Sequence, residues 1–557
     1  MFKQLFHTTL ITLFLLAGCG GGEFVIPAPL NESAFTTFPS NAAVDIQTDS
    51  VITVDFGQEM DSRTINSDTF VVAGPAVQVQ GEVSYAGTSA TFSPLKKLAL
   101  ATTYTATLKA GIKDKTGNAS QSDFSWSFKT RSGVWYTPVI IESGNQDAFL
   151  PNIEMNKPGN ATAAWVQSDG NFNRIYANRF DVNEGWGNEI AIGPAFAKGN
   201  YEPEIAMDDD GNAIAVWAIS TNNQYILYSN FYTRVALSWT GAGPVVGGAF
   251  TNSLVPKVAM DPDGNAIAVW AEVVNGRPIV YSDQFIFDSF WTGPTVIQSS
   301  SDYAGSPQIA FDSFGNAVTI WALGDIVTLK SSMSADYRAA GSGWGQEIPI
   351  SERTGYVSFP DLAVNADGEA IAVWWQVDGN TKSIYANHYT PGTGWGAAAP
   401  VKSNIIIFDI LPTVGPRVAM DSAGNAVAVW QESEGIGTPT INRYMYSSRY
   451  TPESGWETAE LVGSCGDWED CKPNIDMDPN GNATAIWQKS DQTGGRRSIY
   501  AKHYILGSGW DSEAAYIGGG RLNAVDPKVA VDEQGRASAI WLQYDGNYWN
   551  VVSARFE

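Results

Sequence analysis

The chain is dominated by a sequence unit that recurs eight times at a nearly constant spacing. One copy begins at Pro256 and reads Pro-Lys-Val-Ala-Met-Asp-Pro-Asp-Gly-Asn-Ala-Ile-Ala-Val-Trp. In every copy a glycine follows the first proline by eight positions and a tryptophan follows it by fourteen. Self-similarity at a period of 51 to 57 residues is typical of a propeller or a solenoid. The eight prolines are Pro151, Pro203, Pro256, Pro307, Pro360, Pro416, Pro473 and Pro527.

Each unit contains four segments with the pattern of β-strands. The first follows a tryptophan such as Trp186, and the second is the Pro-x-Ile-Ala-Met-Asp run. The third, Ala-x-Ala-x-Trp, is apolar on both faces, which indicates a strand buried on both sides. The fourth resembles Ile175-Tyr176-Ala177, and Asp169-Gly170 before it favours a tight hairpin turn.

Four antiparallel strands repeated eight times predict an all-β fold, an eight-bladed β-propeller over residues 131–557. A linear solenoid is the alternative, but it would need atypical capping repeats, and the first and last copies resemble the others. We expect the proline strand to lie innermost, because its small residues suit a crowded axis. The strand at 135–141 should then pair with the C-terminal blade and close the ring.

Tryptophan accounts for 20 residues, and 16 of them occupy two repeated positions. An aromatic platform for a ligand is one interpretation. The other is packing between blades, because a tryptophan buries a large apolar area. Since a residue present in every unit serves what all units share, packing is the preferred interpretation.

Residues 33–130 lack the repeat and show short alternating runs separated by turn residues, as in a β-sandwich. Their motifs include Phe56-Gly-Gln-Glu-Met-Asp61, Phe92-Ser-Pro-Leu95, Ile112-Lys-Asp-Lys-Thr-Gly-Asn118 and Trp126-Ser-Phe-Lys-Thr130. The segment resembles the bacterial Ig-like domain of S-layer and other bacterial surface proteins. The resemblance implies an Ig-like β-sandwich that acts as a spacer or stalk.

The first residues have the pattern of an export signal, with Lys3 before the apolar run from Leu10 to Leu16. The run ends in Leu16-Ala-Gly-Cys19, which resembles the bacterial lipobox. That resemblance implies a signal peptide over 1–18, lipid on Cys19 and membrane attachment through a tether over 19–32. Because Gly20 follows, the resemblance to Gram-negative lipoproteins implies the outer membrane, with the protein facing the periplasm or the cell exterior.

The remaining cysteines, Cys465 and Cys471, predict a disulfide, as expected for a pair in an exported chain. No third cysteine or histidine lies near them, so a metal site is not predicted. The Asp-x-x-Gly-Asn turns resemble fragments of calcium loops but lack the full ligand set. An Asx turn explains the aspartate, and structural calcium is the alternative.

The charge and the histidine content of the chain argue against several classes of function. A net charge of −25 argues against nucleic acid as a partner, because phosphate recognition needs clustered basic residues. The chain has 3 histidines, and His388 and His503 occupy equivalent places in two units, so a Ser-His-Asp triad is not expected. Carboxylate chemistry stays open because acidic residues are plentiful. A sialidase-type Asp-box, Ser-x-Asp-x-Gly-x-Thr-Trp, is only faintly echoed, and the Arg-Ile-Pro motif of that family is absent.

The loops that lead into the proline strands differ between units and carry aromatic residues, which is typical of a binding surface on a regular scaffold. We predict that Tyr201, Tyr303, Tyr356 and Trp468 contact a ligand. The expected function is a non-enzymatic envelope lipoprotein that binds a glycan or an envelope or extracellular protein, without a cofactor. The alternatives are an outer-membrane assembly scaffold and a carboxylate-dependent glycosidase.

Overall fold

A computed structural model describes most of the chain after residue 29. The described residues are 30, 32–196, 202–221, 224–245, 256–287, 289–325, 328, 330–379, 381–405, 414–434, 442–467, 470–491, 495–520 and 522–557. The predicted signal peptide, Cys19 and most of the predicted tether lie outside this part. No helix in the described residues is long and apolar enough to cross a membrane.

Two four-stranded sheets form a sandwich at the N-terminal end of the described chain, with strand orders β1-β3-β6-β5 and β2-β8-β7-β4. Alternation places Phe70, Trp126 and Phe128 inside, each at most 3% exposed. The strands are β1 (Thr36–Phe38), β2 (Ala43–Ile46), β3 (Ile52–Asp55), β4 (Phe70–Ala73), β5 (Gly81–Ala86), β6 (Ser89–Pro94), β7 (Thr103–Leu108) and β8 (Phe124–Thr130), with short 3-10 helices at Glu32–Ala34 and Ser62–Thr64.

Eight further antiparallel sheets follow in the described residues, and each is one blade of a propeller. In all blades the proline strand lies at one edge, followed by the Ala-x-Trp strand and the tyrosine strand. The proline strands are β10 (Ala148–Met155), β15 (Glu204–Met207), β20 (Lys257–Met260), β24 (Tyr303–Phe311), β28 (Tyr356–Val364), β33 (Arg417–Met420), β38 (Asn474–Met477) and β43 (Ala524–Val531). Blades 1 to 8 are numbered in this order.

Two strands form the middle of each blade. The Ala-x-Trp strands are β11 (Ala161–Ser168), β16 (Ala213–Thr221), β21 (Ala266–Val274), β25 (Ala317–Gly324), β29 (Ala370–Asp378), β34 (Ala426–Glu434), β39 (Ala483–Ser490) and β44 (Ala537–Tyr544). The tyrosine strands are β12 (Asn173–Asp181), β17 (Gln224–Thr233), β22 (Arg277–Phe285), β26 (Ser331–Arg338), β30 (Thr381–Thr390), β35 (Asn442–Thr451), β40 (Arg497–Ile505) and β45 (Trp549–Phe556).

Short strands pair with the outer side of the tyrosine strands. They are β9 (Val139–Ile140), β13 (Gly185–Trp186), β14 (Ile190–Ala191), β18 (Ser238–Trp239), β19 (Gly243–Pro244), β23 (Thr295–Val296), β27 (Ile348–Pro349), β31 (Gly394–Trp395), β32 (Ala399–Lys402), β36 (Gly455–Trp456), β37 (Glu460–Asp467), β41 (Gly509–Trp510) and β42 (Ala515–Gly518). The tryptophan-led strands therefore lie outermost, as the sequence predicts.

The proline strands of neighbouring blades contact one another, so they surround the axis of the propeller. Strand β43 of blade 8 contacts β10 of blade 1, and Arg536 Nη2 donates to the carbonyl oxygen of Pro158 at 2.9 Å. Strand β9 pairs with β45 through Ile140 and Val552. Blade 8 thus takes its outer strand from the predicted segment at 135–141.

The repeated tryptophans pack in the core. All eight at the fourteenth position are at most 1% exposed. The tryptophans of the outer strands link blades, since Trp344 Nε1 donates to Ser282 Oγ of the preceding blade at 2.7 Å. Packing, and not a ligand platform, therefore accounts for the repeated tryptophans.

The Asp-x-x-Gly-Asn segments form Asx turns at one end of the proline strands. Asp312 Oδ1 accepts the backbone N–H groups of Phe314 and Asn316 at 2.9 and 2.8 Å. Asp312 Oδ2 accepts Asn316 Nδ2 at 2.7 Å. Gly315 has φ +78°, a conformation that glycine adopts without strain. The turn therefore requires both its aspartate and its glycine.

The Ig-like sandwich contacts the propeller at the turns of blades 7 and 8. Leu100 N donates to the carbonyl oxygen of Gln534 at 2.8 Å, and Asn482 Nδ2 donates to Thr102 Oγ1 at 3.0 Å. Lys96 Nζ lies 2.6 Å from a carboxylate oxygen of Glu533. The two parts are joined by hydrogen bonds as well as by the chain.

Candidate functional site

The proline strands enclose an axial channel, and its two ends differ. We call the end at the prolines the proline mouth and the end at the Asp-x-x-Gly-Asn segments the turn mouth. At the proline mouth β10, β24, β28 and β43 each contain a register shift just before the proline or across it. Such bulges re-aim side chains and are common beside active sites.

The residue before the proline has a strained backbone in five blades. Leu150, Ser306, Phe359, Lys472 and Asp526 have φ between 44° and 57°. This left-handed conformation is costly for a residue with a Cβ atom, and a following proline favours an extended one instead. These five blades share the left-handed backbone conformation at this position, whereas the side chain differs in each blade.

Three of these strained residues, Leu150, Lys472 and Asp526, help to line a cavity of about 180 Å³ at the proline mouth. Its walls include Leu150, Glu202, Arg417, Lys472, Asp526 and Lys528. Close approach of backbones contributes to its shape, because a Cβ atom on Gly415 would lie 2.7 Å from Phe359 Cβ. The cavity therefore combines a shared backbone shape with side chains specific to each blade.

Ion pairs organise the charges of the proline mouth. Lys528 Nζ lies 2.7 Å from Glu202 Oε1, so it spans from blade 8 to the start of blade 2. Lys257 pairs with Glu204, and Lys472 pairs with Asp526. Lys528 and Lys257 lower the pKa of Glu202 to about 2, although burial acts in the opposite direction and is the largest influence. Glu202 is therefore an ionised carboxylate.

Two carboxyl groups interrupt the small residues deeper in the channel. Glu154 and Asp476 stand three residues after their prolines, where the other six units have alanine. Burial raises the pKa of Glu154 to about 8, and the nearby charges of Asp476 and Glu204 act in the same direction. Glu154 is accessible to water yet surrounded by the innermost strands. It is therefore a protonated acid at neutral pH.

Asp476 differs because backbone groups hold its carboxylate. Its Oδ2 accepts Val531 N of blade 8 at 2.7 Å, and its Oδ1 accepts Met477 N at 2.8 Å. Burial raises the pKa of Asp476 to about 6, and these hydrogen bonds limit the rise. At neutral pH the channel therefore contains a protonated carboxyl group and an ionised one.

The turn mouth is acidic but its carboxylates are used within their own turns. A cavity of about 260 Å³ there is lined by residues that include Asp208, Asp261, Asp312 and Asp421. Asp261 Oδ1, for example, accepts the N–H groups of Asp263 and Asn265 at 3.0 and 2.8 Å. Within the described residues no group of three or more His, Cys, Asp or Glu could hold a metal ion. The hydrogen bonds of the Asx turns account for these acids without calcium.

The predicted ligand residues are only partly within the described chain. Tyr303 and Tyr356 begin β24 and β28 on the side of the proline mouth, and Tyr356 is 42% exposed. Tyr201 and Trp468 lie outside the described residues. Their role in binding stays a prediction. Cys465 and Cys471 form a disulfide with 5.2 Å between their Cα atoms.

Glu154 and Asp476 were not among the residues singled out in the sequence. The sequence does contain a signal for them, because each replaces the alanine that the other six units have at this position. Phe359 was also missed, although it is 42% exposed beside the proline mouth. Deviations from the repeat were more informative about this site than the repeat itself.

Comparison with known proteins covers both parts of the chain. Residues 32–130 match the family described as Bacterial Ig-like domain. No curated protein matches the chain. Among solved structures it is similar to an α-L-arabinanase from Penicillium chrysogenum, with 11% identity, a TM-score of 0.35, and coverage of 76% of this chain and 98% of the arabinanase.

Two further solved structures are similar at the same level. The NanB sialidase of Streptococcus pneumoniae has 11% identity and a TM-score of 0.34, over 91% of this chain and 83% of the sialidase. The polysaccharide lyase Uly1 has 10% identity and a TM-score of 0.41, over 65% of this chain and 91% of the lyase. These three similar structures are enzymes. The comparison therefore contradicts the prediction that the protein is not an enzyme. No residue or substrate is carried over from them.

Proposed function

We propose that the protein is a lipid-anchored envelope protein that cleaves a glycan in the axial channel, which the glycan would enter through the proline mouth. Glu154 would act as the proton donor and Asp476 as the ionised carboxylate. The observation that carries the proposal is the placement of two carboxyl groups on innermost strands, where the other six units have alanine, with Asp476 held by Val531 N of blade 8. Their raised pKa values, about 8 for Glu154 and about 6 for Asp476, support it. Glycosidases use two carboxyl groups whose environments keep one protonated and the other ionised.

The entrance to the channel at the proline mouth suits a sugar. Phe359 and Tyr356, each 42% exposed, offer apolar faces beside the proline mouth. The ion pair between Lys528 and Glu202 supplies polar groups for hydroxyl groups. Aromatic surface next to a few placed polar groups is the usual composition of a small-molecule site.

Attachment through lipid on Cys19 and location at the outer membrane are part of the same proposal. They rest on the lipobox-like sequence Leu16-Ala-Gly-Cys19. The Ig-like part would position the propeller relative to the membrane. Replacing Cys19 by serine should abolish incorporation of labelled palmitate and release the protein from the membrane fraction. Retained label in Cys19→Ser would contradict the anchor.

The test of the enzyme is a screen of the detergent-solubilised full chain against plant, algal and bacterial polysaccharides, with new reducing ends as the readout. We expect activity on at least one polysaccharide. Glu154→Gln should lower kcat by about 100- to 10,000-fold, the usual range for a general acid. Glu513→Gln is the matched control, since Glu513 is exposed and lies outside the channel.

The pH profile gives an independent readout. Activity requires Asp476 ionised and Glu154 protonated, so the rate should be greatest between the two pKa values, about 6 and 8. Glu154→Gln should remove the alkaline limb from any residual activity. Full activity in Glu154→Gln, or no product from any polysaccharide, would refute the proposal.

A further inference from the structure

A third cavity, open to solvent on one side, lies where the Ig-like part meets blades 7 and 8. Its volume is about 310 Å³. Leu100 and Ala101 form its wall on the Ig-like side, and Val134 and Trp135 of the connecting segment form another. His503 and Phe556 belong to the propeller wall. Cavities of this size at the junction of two domains are common binding sites for small molecules.

Aromatic rings dominate the propeller wall. The rings of His503 and Phe556 are stacked with centroids 3.8 Å apart, and the ring of Trp135 lies 5.8 Å from that of His503. Leu100 and Trp135 belong with Phe556 to one apolar cluster. The walls therefore favour a ligand with an apolar, flat body.

Two polar atoms of this cavity have no protein partner. Trp135 Nε1 and His503 Nε2 are buried and form no hydrogen bond within the described chain. His503 Nδ1 is engaged, since it lies 2.9 Å from Thr484 Oγ1. Trp217 and Trp321 also have unpaired indole N–H groups, and they are fully buried in blade packing. Trp135 Nε1 is buried in the same way, as is Trp186 Nε1 at the equivalent outer position of blade 1, so the apolar walls and not these N–H groups define the ligand.

The charges of the lining residues restrict the charge of the ligand. Burial lowers the pKa of His503 to about 4, so its ring is neutral at neutral pH. The carboxylate of Asp511 accepts the backbone N–H of His503 at 3.3 Å. No cation among the described lining residues would balance an anionic ligand. The cavity therefore suits an uncharged molecule.

We propose that this cavity binds a small, uncharged and mainly apolar molecule against its aromatic wall. The site is separate from the proline mouth, since it lies beside the turns of blades 7 and 8. Because both halves of the chain line it, the ligand contacts the Ig-like part and the propeller together. Binding therefore stabilises the contact between them.

The test uses the full chain and the fluorescent probe 6-propionyl-2-dimethylaminonaphthalene, an uncharged naphthalene with a ketone oxygen. Its emission shifts to the blue in apolar surroundings. We expect a saturable blue shift with one probe per chain. Trp135→Ala removes a large apolar part of the wall, so it should weaken binding about tenfold.

A variant that fills the cavity tests whether the probe binds there. Val134 lines the cavity yet is 59% exposed, so Val134→Trp should fill the opening without disturbing the core. Val139→Trp is the matched control, because Val139 is 50% exposed in the same connecting segment and is not a lining residue. Val134→Trp should weaken binding at least tenfold and Val139→Trp should not.

Three outcomes would overturn the proposal: no saturable shift, equal binding by Val134→Trp and the unmodified chain, or no effect of Trp135→Ala. Melting temperatures of the three variants show that each is folded before its affinity is compared. Added probe should also raise the melting temperature of the unmodified chain but not that of Val134→Trp.

Discussion

Neutralising Asp478 should change how the stability of the protein depends on pH. Asp478 is the Asx-turn residue of blade 7 and is 0% exposed. Its Oδ1 accepts the N–H groups of Asn480 and Asn482, both at 2.9 Å. Its Oδ2 accepts Asn482 Nδ2 at 2.9 Å. These bonds favour the ionised form, but burial outweighs them.

Burial outweighs the hydrogen bonds and raises the pKa of Asp478 from 3.8 to about 7. A folded pKa above the unfolded one means that the folded protein binds the proton more tightly. Stability from this group is therefore greatest below about pH 4 and is lost as the pH rises to about 7. A shift of about three units corresponds to about 4 kcal/mol, because one unit is about 1.4 kcal/mol.

Asp478→Asn removes the titration and keeps a side-chain oxygen for the two backbone N–H groups. Asparagine is compatible with this turn, since Asn365 Oδ1 accepts Asp367 N and Glu369 N at 3.1 and 2.9 Å in blade 5. The variant loses the bond from Asn482 Nδ2 at every pH. Relative to the unmodified chain, its melting temperature should therefore rise as the pH increases from 4 to 8.

The assay is thermal unfolding by circular dichroism across this pH range. Asp169→Asn is the control with the opposite sign. Asp169 lies in an exposed turn, where the N–H groups of Phe172 and Asn171 lower its pKa. Because its folded pKa lies below the unfolded value of 3.8, Asp169→Asn should differ from the unmodified chain by a nearly constant amount from pH 5 to 8, and the difference should shrink only as the pH falls below about 4. A constant difference between Asp478→Asn and the unmodified chain from pH 4 to 8 would refute the reasoning.

Three further substitutions test the scaffold and the site. Trp321→Ala removes a side chain that is 0% exposed, so the free energy of unfolding in urea should fall by roughly 3–5 kcal/mol. Gly415→Ala places a Cβ atom 3.0 Å from the carbonyl oxygen of Phe359 and should lower affinity for any ligand of the proline mouth, measured by calorimetry. Replacing Cys465 and Cys471 by serine opens a short loop and should cost about 2 kcal/mol, and urea unfolding of the oxidised and reduced chain supplies the comparison.

The sheets could be predicted from the sequence because one period repeats every feature that defines a blade. A strand apolar on both faces, such as β29, belongs between two packed layers, and Asp169-Gly170 belongs in a hairpin. The order of strands followed from the small residues of the proline strand and from the tryptophan-led strand at 135–141. These are local signals that all point to the same arrangement.

The proline mouth could not be predicted in the same way. A residue before proline is expected to be extended, so nothing in the sequence indicates the left-handed backbone of Phe359 or Asp526. That conformation arises from the bulge, which depends on pairing with the neighbouring strand. The contact between Leu100 and Gln534 is equally invisible, because it joins parts of the chain that share no pattern.

The repeat nevertheless separates what supports the fold from what a site can use. A position filled alike in every blade, such as Trp321, serves packing that all blades share. A position with alanine in six blades and a carboxyl group in two has no such shared role. Ionising Glu154 and Asp476 among the innermost strands costs free energy, as the raised pKa values of both groups show, and alanine would avoid that cost. Because catalytic groups are commonly held in such unfavourable surroundings, the exceptions in a regular scaffold are where its chemistry should first be sought.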